Sequence, residues 1–172
     1  MDTEKMLAEL SEKVRVLEAK EAIRDKLAAY CRSVDRIDPE LGYTVFAEDC
    51  VADYGDFFQG TGRGFIDWCC NTHKRMRYTI HRISNMTIVV NGNRAGSECY
   101  VHSAVESIGD DEDIVTDSRC RYLDEWECRN GDWVIVKRRL ANDIAYLFSI
   151  DEPERFGTAR NKSDASYDVL GI

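Results

Sequence analysis

Tyr78-Thr-Ile-His81-Arg-Ile-Ser-Asn-Met-Thr-Ile-Val-Val90 is the stretch that decides the fold. Before it, apolar residues recur at three- and four-residue steps. From Tyr78 onward they alternate, the period of a half-buried strand. Three further strand-like segments follow, at 95–108, 115–128 and 133–148. The connectors are Asn91-Gly92-Asn93, an acidic run over 109–113, and Asn130-Gly131. Asn-Gly between alternating segments is a strong hairpin signal, so the second half is predicted to be an antiparallel meander of long strands.

Working back from Tyr78, residues 3–34 carry a helical pattern. Leu7, Leu10, Val14 and Leu17 share one stripe, and Ile23, Leu27, Tyr30 and Val34 continue the spacing. The length predicts a break near Lys20, with the first part either an arm that packs on a neighbouring subunit or a frayed surface helix. Asp38-Pro39 is an N-cap and N1 pair for a second helix over 39–46. Residues 50–55 read as a short strand and 65–76 as a third helix with Phe65, Trp68 and Cys69 on its apolar stripe. Helices first and a long sheet afterwards make an α+β chain, here one domain over 1–150 with residues 1–18 as the arm. Long strands that wrap an amphipathic helix must curve, and an apolar cone is a small-molecule site. The polar tail, 151–172, is expected either to be disordered or to lie over the pocket mouth.

Composition excludes several functions. The net charge of −9 argues against a nucleic-acid partner, which needs a basic footprint. No apolar run is long enough to span a membrane, and the start has no secretory pattern. The seven cysteines are odd in number and scattered, and no C-x-x-C occurs, so free thiols in a reducing, cytoplasmic setting are expected. His73, His81 and His102 show no metal-ligand spacing, so no metal and no cofactor are expected.

Asp35 and His81 are the candidate chemical pair. Asp35 closes the first helix, at the end where the dipole disfavours an anion. It is either a solvated helix-terminal acid or an acid held there for a purpose. His81 shares its strand face with Ile83, and a lone strand histidine is more often structural than catalytic. Paired, a carboxylate on one ring nitrogen fixes the tautomer and raises the basicity of the other, which makes a general base. Tyr30, Tyr54, His102, Tyr122, Arg138 and Asn142 are candidate substrate-binding residues, each able to assist a leaving oxygen or an enolate. Each is equally compatible with a polar tip in water.

Three short signatures carry a resemblance that spans residues 15–148. They are Ala28-Ala-Tyr-Cys-Arg-Ser-Val-Asp35, Tyr78-Thr-Ile-His-Arg-Ile-Ser-Asn85 and Asn130-Gly-Asp-Trp-Val-Ile-Val-Lys-Arg138. In this order they resemble the SnoaL-like group of the nuclear-transport-factor-2-like cone fold, which includes scytalone dehydratase, hexachlorocyclohexane dehydrochlorinase and bile acid 7α-dehydratase. The resemblance implies a cone-shaped barrel of curved antiparallel sheet, an Asp35–His81 dyad, and roles at the substrate for Tyr30, Tyr54 and Arg138. The acid that the bile acid enzyme carries on its second long strand falls near His102 here, and its last-strand arginine falls near Asn142. The implied activity is a cofactor-independent elimination, of a dehydratase type, on a hydrophobic cyclic or aromatic molecule. A ketosteroid-isomerase-type proton transfer and a non-catalytic binding or assembly module are the alternatives, because the fold hosts all of these. A homodimer or homotrimer is implied by the same resemblance.

Overall fold

The computed structural model describes residues 3–109, 113–150 and 159–171. Its elements run α1(Thr3–Arg36), α2(Pro39–Tyr43), β1(Phe46–Asp53), β2(Gln59–Thr61), α3(Gly62–His73), β3(Met76–Asn91), β4(Arg94–Ser107), β5(Asp113–Arg129), β6(Asp132–Ile150) and α4(Ala165–Leu170). The sheet has the order β2-β1-β6-β5-β4-β3. Both Asn-Gly turns of the meander follow their sequences. Asn130 and Gly131 both have positive φ, as a type I′ turn requires, and Gly92 takes the left-handed position in the β3–β4 turn.

Three expectations are corrected. The sheet is mixed, because β1 runs parallel to β6. It is also open, since β2 and β3 are its two edges, so the cone is a curved sheet closed by helices and not a barrel. The first helix does not break near Lys20; nothing in its sequence removes a hydrogen bond or bends the axis, and it runs unbroken over 34 residues. The second helix is shorter than predicted, and Phe46 starts β1 instead of ending a helix.

The stripe Ile23, Leu27, Tyr30 and Val34 of α1 fills the concave face of the sheet, against Cys99, Val101, Tyr122, Trp126 and Ile135. Buried residues of α1 begin at Ala19; Leu7, Leu10, Val14 and Leu17, in the preceding turns, are exposed. At the base of the cone the indole of Trp126 donates to Ser97 Oγ at 2.8 Å, which satisfies its one buried donor. Gly62 lets α3 start against Phe46, since a Cβ there would come within 2.5 Å of the ring. Residues 159–171 pack on the last turns of α1. Arg32 donates to Ser166 and covers the ring of Tyr167, whose hydroxyl donates to Asp38. Residues 151–158, the first part of the tail, lie outside the described residues. No helix among the described residues is long and apolar enough to cross a membrane.

Candidate active site

The end of α1 places the acid. Asp38 N–H donates to Ser33 O at 2.8 Å across Ile37, which sits at φ 55, so the helix stops in a Schellman turn immediately after Asp35. A β-branched residue in that region is strained by roughly 1–2 kcal/mol. The sharp stop aims the Asp35 carboxylate at β3. There Oδ1 lies 2.7 Å from His81 Nδ1, and Oδ2 accepts the His81 backbone N–H at 2.9 Å. A carboxylate oxygen accepts, so Nδ1 is the donor of this contact, and in the neutral ring that tautomer leaves the lone pair on Nε2. The two side chains are nearly buried.

His81 forms part of a pocket of about 130 Å3, lined also by Tyr30, Tyr54, Phe65, Tyr122 and Asn142, with Phe57 and Trp68 among its apolar walls. The Tyr30 and Tyr54 hydroxyls are 3.1 Å apart, so one donates to the other and one hydrogen remains for a ligand. Burial pushes both phenols above their ordinary range, so each is a donor and not a base. Ser103 and Ser118 line the same wall because the ladder sets His81 opposite Ser103 and Ser103 opposite Ser118.

Two of the expected substrate-binding residues do not line this pocket. His102 points to the opposite face of the sheet, where Nε2 lies 2.7 Å from Asp117 and the side chain is about two-fifths exposed. The cause is a bulge. Between Ser84 and Thr87 two residues of β3 face one of β4, and Asn85 there has φ 48. An unbroken ladder from the Gly92 turn would put His102 opposite Ile83, on the face of His81. The one-residue shift puts it opposite Arg82 instead. Arg138 faces inward but lies fully buried beneath the pocket, where Nε and Nη2 each donate to Asp124 at 2.7 Å. The rings of Tyr30 and Tyr122 stand 4.2 Å from its guanidinium carbon. Burial alone would pull Arg138 down, and the Asp124 carboxylate more than offsets it.

His73 is a pocket residue that sequence reasoning missed, because its helical neighbours give no hint that α3 ends against α1. Its Nδ1 lies 2.9 Å from Val34 O, which can only accept, and Cys69 Sγ is 3.5 Å from Nε2. Its ring centroid is 5.9 Å from that of His81. Burial pushes His73 down to about 4, against a partial lift from the Val34 carbonyl. The consequence for stability has a definite sign. Between the unfolded value near 6.5 and about 4, the unfolded chain binds a proton that the folded chain refuses. Stability therefore falls as pH drops through that window, by up to roughly 3 kcal/mol. Urea unfolding of the parent and of His73→Gln at pH 7 and pH 4.5 checks this; equal losses in the two proteins would refute it. Burial also raises the Cys69 thiol, so Cys69 is a thiol and not a ready nucleophile. Among the described residues, no group of three or more His, Cys, Asp or Glu side chains is arranged to hold a metal ion.

The family model for the SnoaL-like domain matches residues 15–139. Solved structures share the fold. A scytalone dehydratase-like protein from Novosphingobium aromaticivorans is 23% identical, with 83% of this chain and 96% of that chain covered and a TM-score of 0.66. The hexachlorocyclohexane dehydrochlorinase LinA-type3 from Novosphingobium barchaimii is 16% identical, with 84% and 99% covered and a TM-score of 0.71. A protein of unknown function from Mycobacterium tuberculosis is 23% identical, with 77% and 74% covered and a TM-score of 0.59. No match was found among curated proteins.

Proposed function

The chain belongs to the SnoaL-like family, and from that premise we propose that it is a cofactor-independent lyase. It removes water, or a comparably small leaving group, from a hydrophobic cyclic or aromatic molecule. The observation that carries this reading is the 2.7 Å contact between Asp35 and His81 Nδ1 at the wall of the pocket, which leaves Nε2 as the ring nitrogen available to a ligand. A solvated structural histidine would need neither the buried carboxylate nor the pocket.

In this reading Nε2 takes a proton from a carbon made acidic by a neighbouring carbonyl. Asp35 orients the ring and stabilises the imidazolium that forms. Charge that develops on the carbonyl oxygen meets the free hydroxyl hydrogen of the Tyr30–Tyr54 pair. The electron pair then returns to form the double bond and expels hydroxide, which the imidazolium protonates to water. One C–H and one C–O bond break, a C=C bond forms, and nothing is oxidised or reduced, so the residues present balance the reaction. Size narrows the substrate class. About 130 Å3 is close to the ~150 Å3 cavity that accommodates benzene, so one ring fits inside and any further ring sits at the mouth.

A panel of hydroxylated and halogenated cyclic and aryl ketones, incubated with the parent and with His81→Gln and followed by mass spectrometry, tests the proposal. Product lighter by one water, formed by the parent alone, is the expected result. A product lighter by hydrogen halide assigns a different leaving group to the same base. A product of unchanged mass with a moved double bond assigns the isomerase reading. Equal binding by both proteins with no product overturns the lyase reading and leaves a ligand-holding module.

A further inference from the structure

We infer that Arg160, from the C-terminal segment, is a positioning residue for the Asp35–His81 pair. The inference rests on the role proposed for that pair. Helix ends leave their last carbonyls without intrahelical partners. Here α1 and α3 end beside each other, and β3 starts in the same place. The guanidinium of Arg160 sits among them. Its Nε donates to Asp35 O at 3.4 Å, and its Nη1 to His73 O at 3.2 Å and Met76 O at 2.9 Å. Its Nη2 donates to Thr79 Oγ1 at 2.8 Å. One planar group therefore ties the residue that bears the acid to the strand that bears the base. Thr79 is 2% exposed and lies two residues before His81 on the same face of β3.

The charge suits the place. Two helix C-termini present their negative ends to it, and Asp35 lies beside it. The charged and titratable groups that act on or feel Arg160 are Asp35 and Arg36 on α1 and His73 on α3. Burial pulls Arg160 down and Asp35 lifts it, while the residue remains a cation. Lysine would supply the charge but not the planar fork that meets four acceptors from three elements. The segment does not depend on Arg160 for its docking, because Arg32, Arg36 and Asp38 hold Ser166, Asp164 and Tyr167 independently. Removing the Arg160 side chain should therefore loosen the frame of the pair and leave the segment seated.

The pair needs this support because a catalytic geometry that slips by about 1 Å loses on the order of a hundredfold in rate. Nothing else among the described residues joins the end of α1 to Thr79 through one side chain.

The test reads the pair directly. Nitrogen–proton correlation of the histidine rings reports whether His81 holds its proton on Nδ1 in a hydrogen bond, with no substrate needed. In Arg160→Gln that signature is expected to weaken or broaden, with kcat lower by about tenfold or more, KM changed by less than about twofold, and Arg160→Lys in between. An unchanged His81 signature in folded Arg160→Gln overturns the inference. So does a loss of kcat that merely tracks a fall in Tm. If Arg160→Gln does not fold, Thr79→Val decides: it removes only the Nη2 acceptor, and an unchanged signature there overturns the inference equally. If no compound turns over in the parent, the proposed function fails while the spectrum still answers for Arg160. If the parent turns over, the same rate from Arg160→Gln sinks this inference and leaves the function standing.

Discussion

His81→Gln is expected to lower kcat by about 10²–10⁴-fold, the usual contribution of a positioned general base, with little change in folding stability. Glutamine keeps the backbone N–H that Asp35 Oδ2 accepts, so the end of α1 stays tied to β3. Asp35→Asn probes the same pair from the other side. Its amide oxygen can still accept the His81 backbone N–H, and its NH2 then donates to Nδ1. That pairing moves the ring proton to Nε2 and puts a donor where a base is needed. Asp35→Asn should therefore approach His81→Gln in kcat while binding ligand about as well as the parent, and the double variant should be no worse than the poorer single one. Single-turnover rates with equilibrium binding measure this. Additive losses in the double variant would mean that the two residues act separately and that the pair is not the catalytic unit.

Asp124→Leu and Arg138→Met should each destabilise the protein by about 3–5 kcal/mol, because each leaves a fully buried charge without its partner. For a domain of this length that is a fall in Tm of about 10 °C or more. The double variant Asp124→Leu/Arg138→Met should recover most of the loss, since an apolar pair avoids desolvating two ions. It should not recover activity fully. The Arg138 guanidinium lies against the rings of Tyr30 and Tyr122, and Tyr30 holds Tyr54 through their hydroxyls. Urea unfolding of the two singles and the double gives the coupling. A double variant as unstable as the sum of the singles would show that the site is held by packing of the rings alone.

The sequence alone determined the fold class and most of the element order, because those depend on local information. The change of period at Tyr78, the Asn-Gly turns and the Asp38-Pro39 cap are each satisfied by neighbours a few residues away. It also marked Asp35 and His81 as candidates through short signatures, and Tyr30, Tyr54, Tyr122 and Asn142 as candidate pocket residues; the structure brings the acid and the histidine together and sets the other four around them. Only the tertiary structure decided the rest. One extra residue near Asn85 turned His102 to the far face, and a bulge is invisible to a two-residue period. Arg138 went to Asp124 because a buried cation must be paired, and that partner becomes its neighbour only in the β5–β6 ladder. The parallel contact of β1 with β6, the burial of His73 against Val34, and the reach of Arg160 to Thr79 join residues far apart in the chain. Such contacts form where packing brings two surfaces together, and no spacing along the chain encodes them.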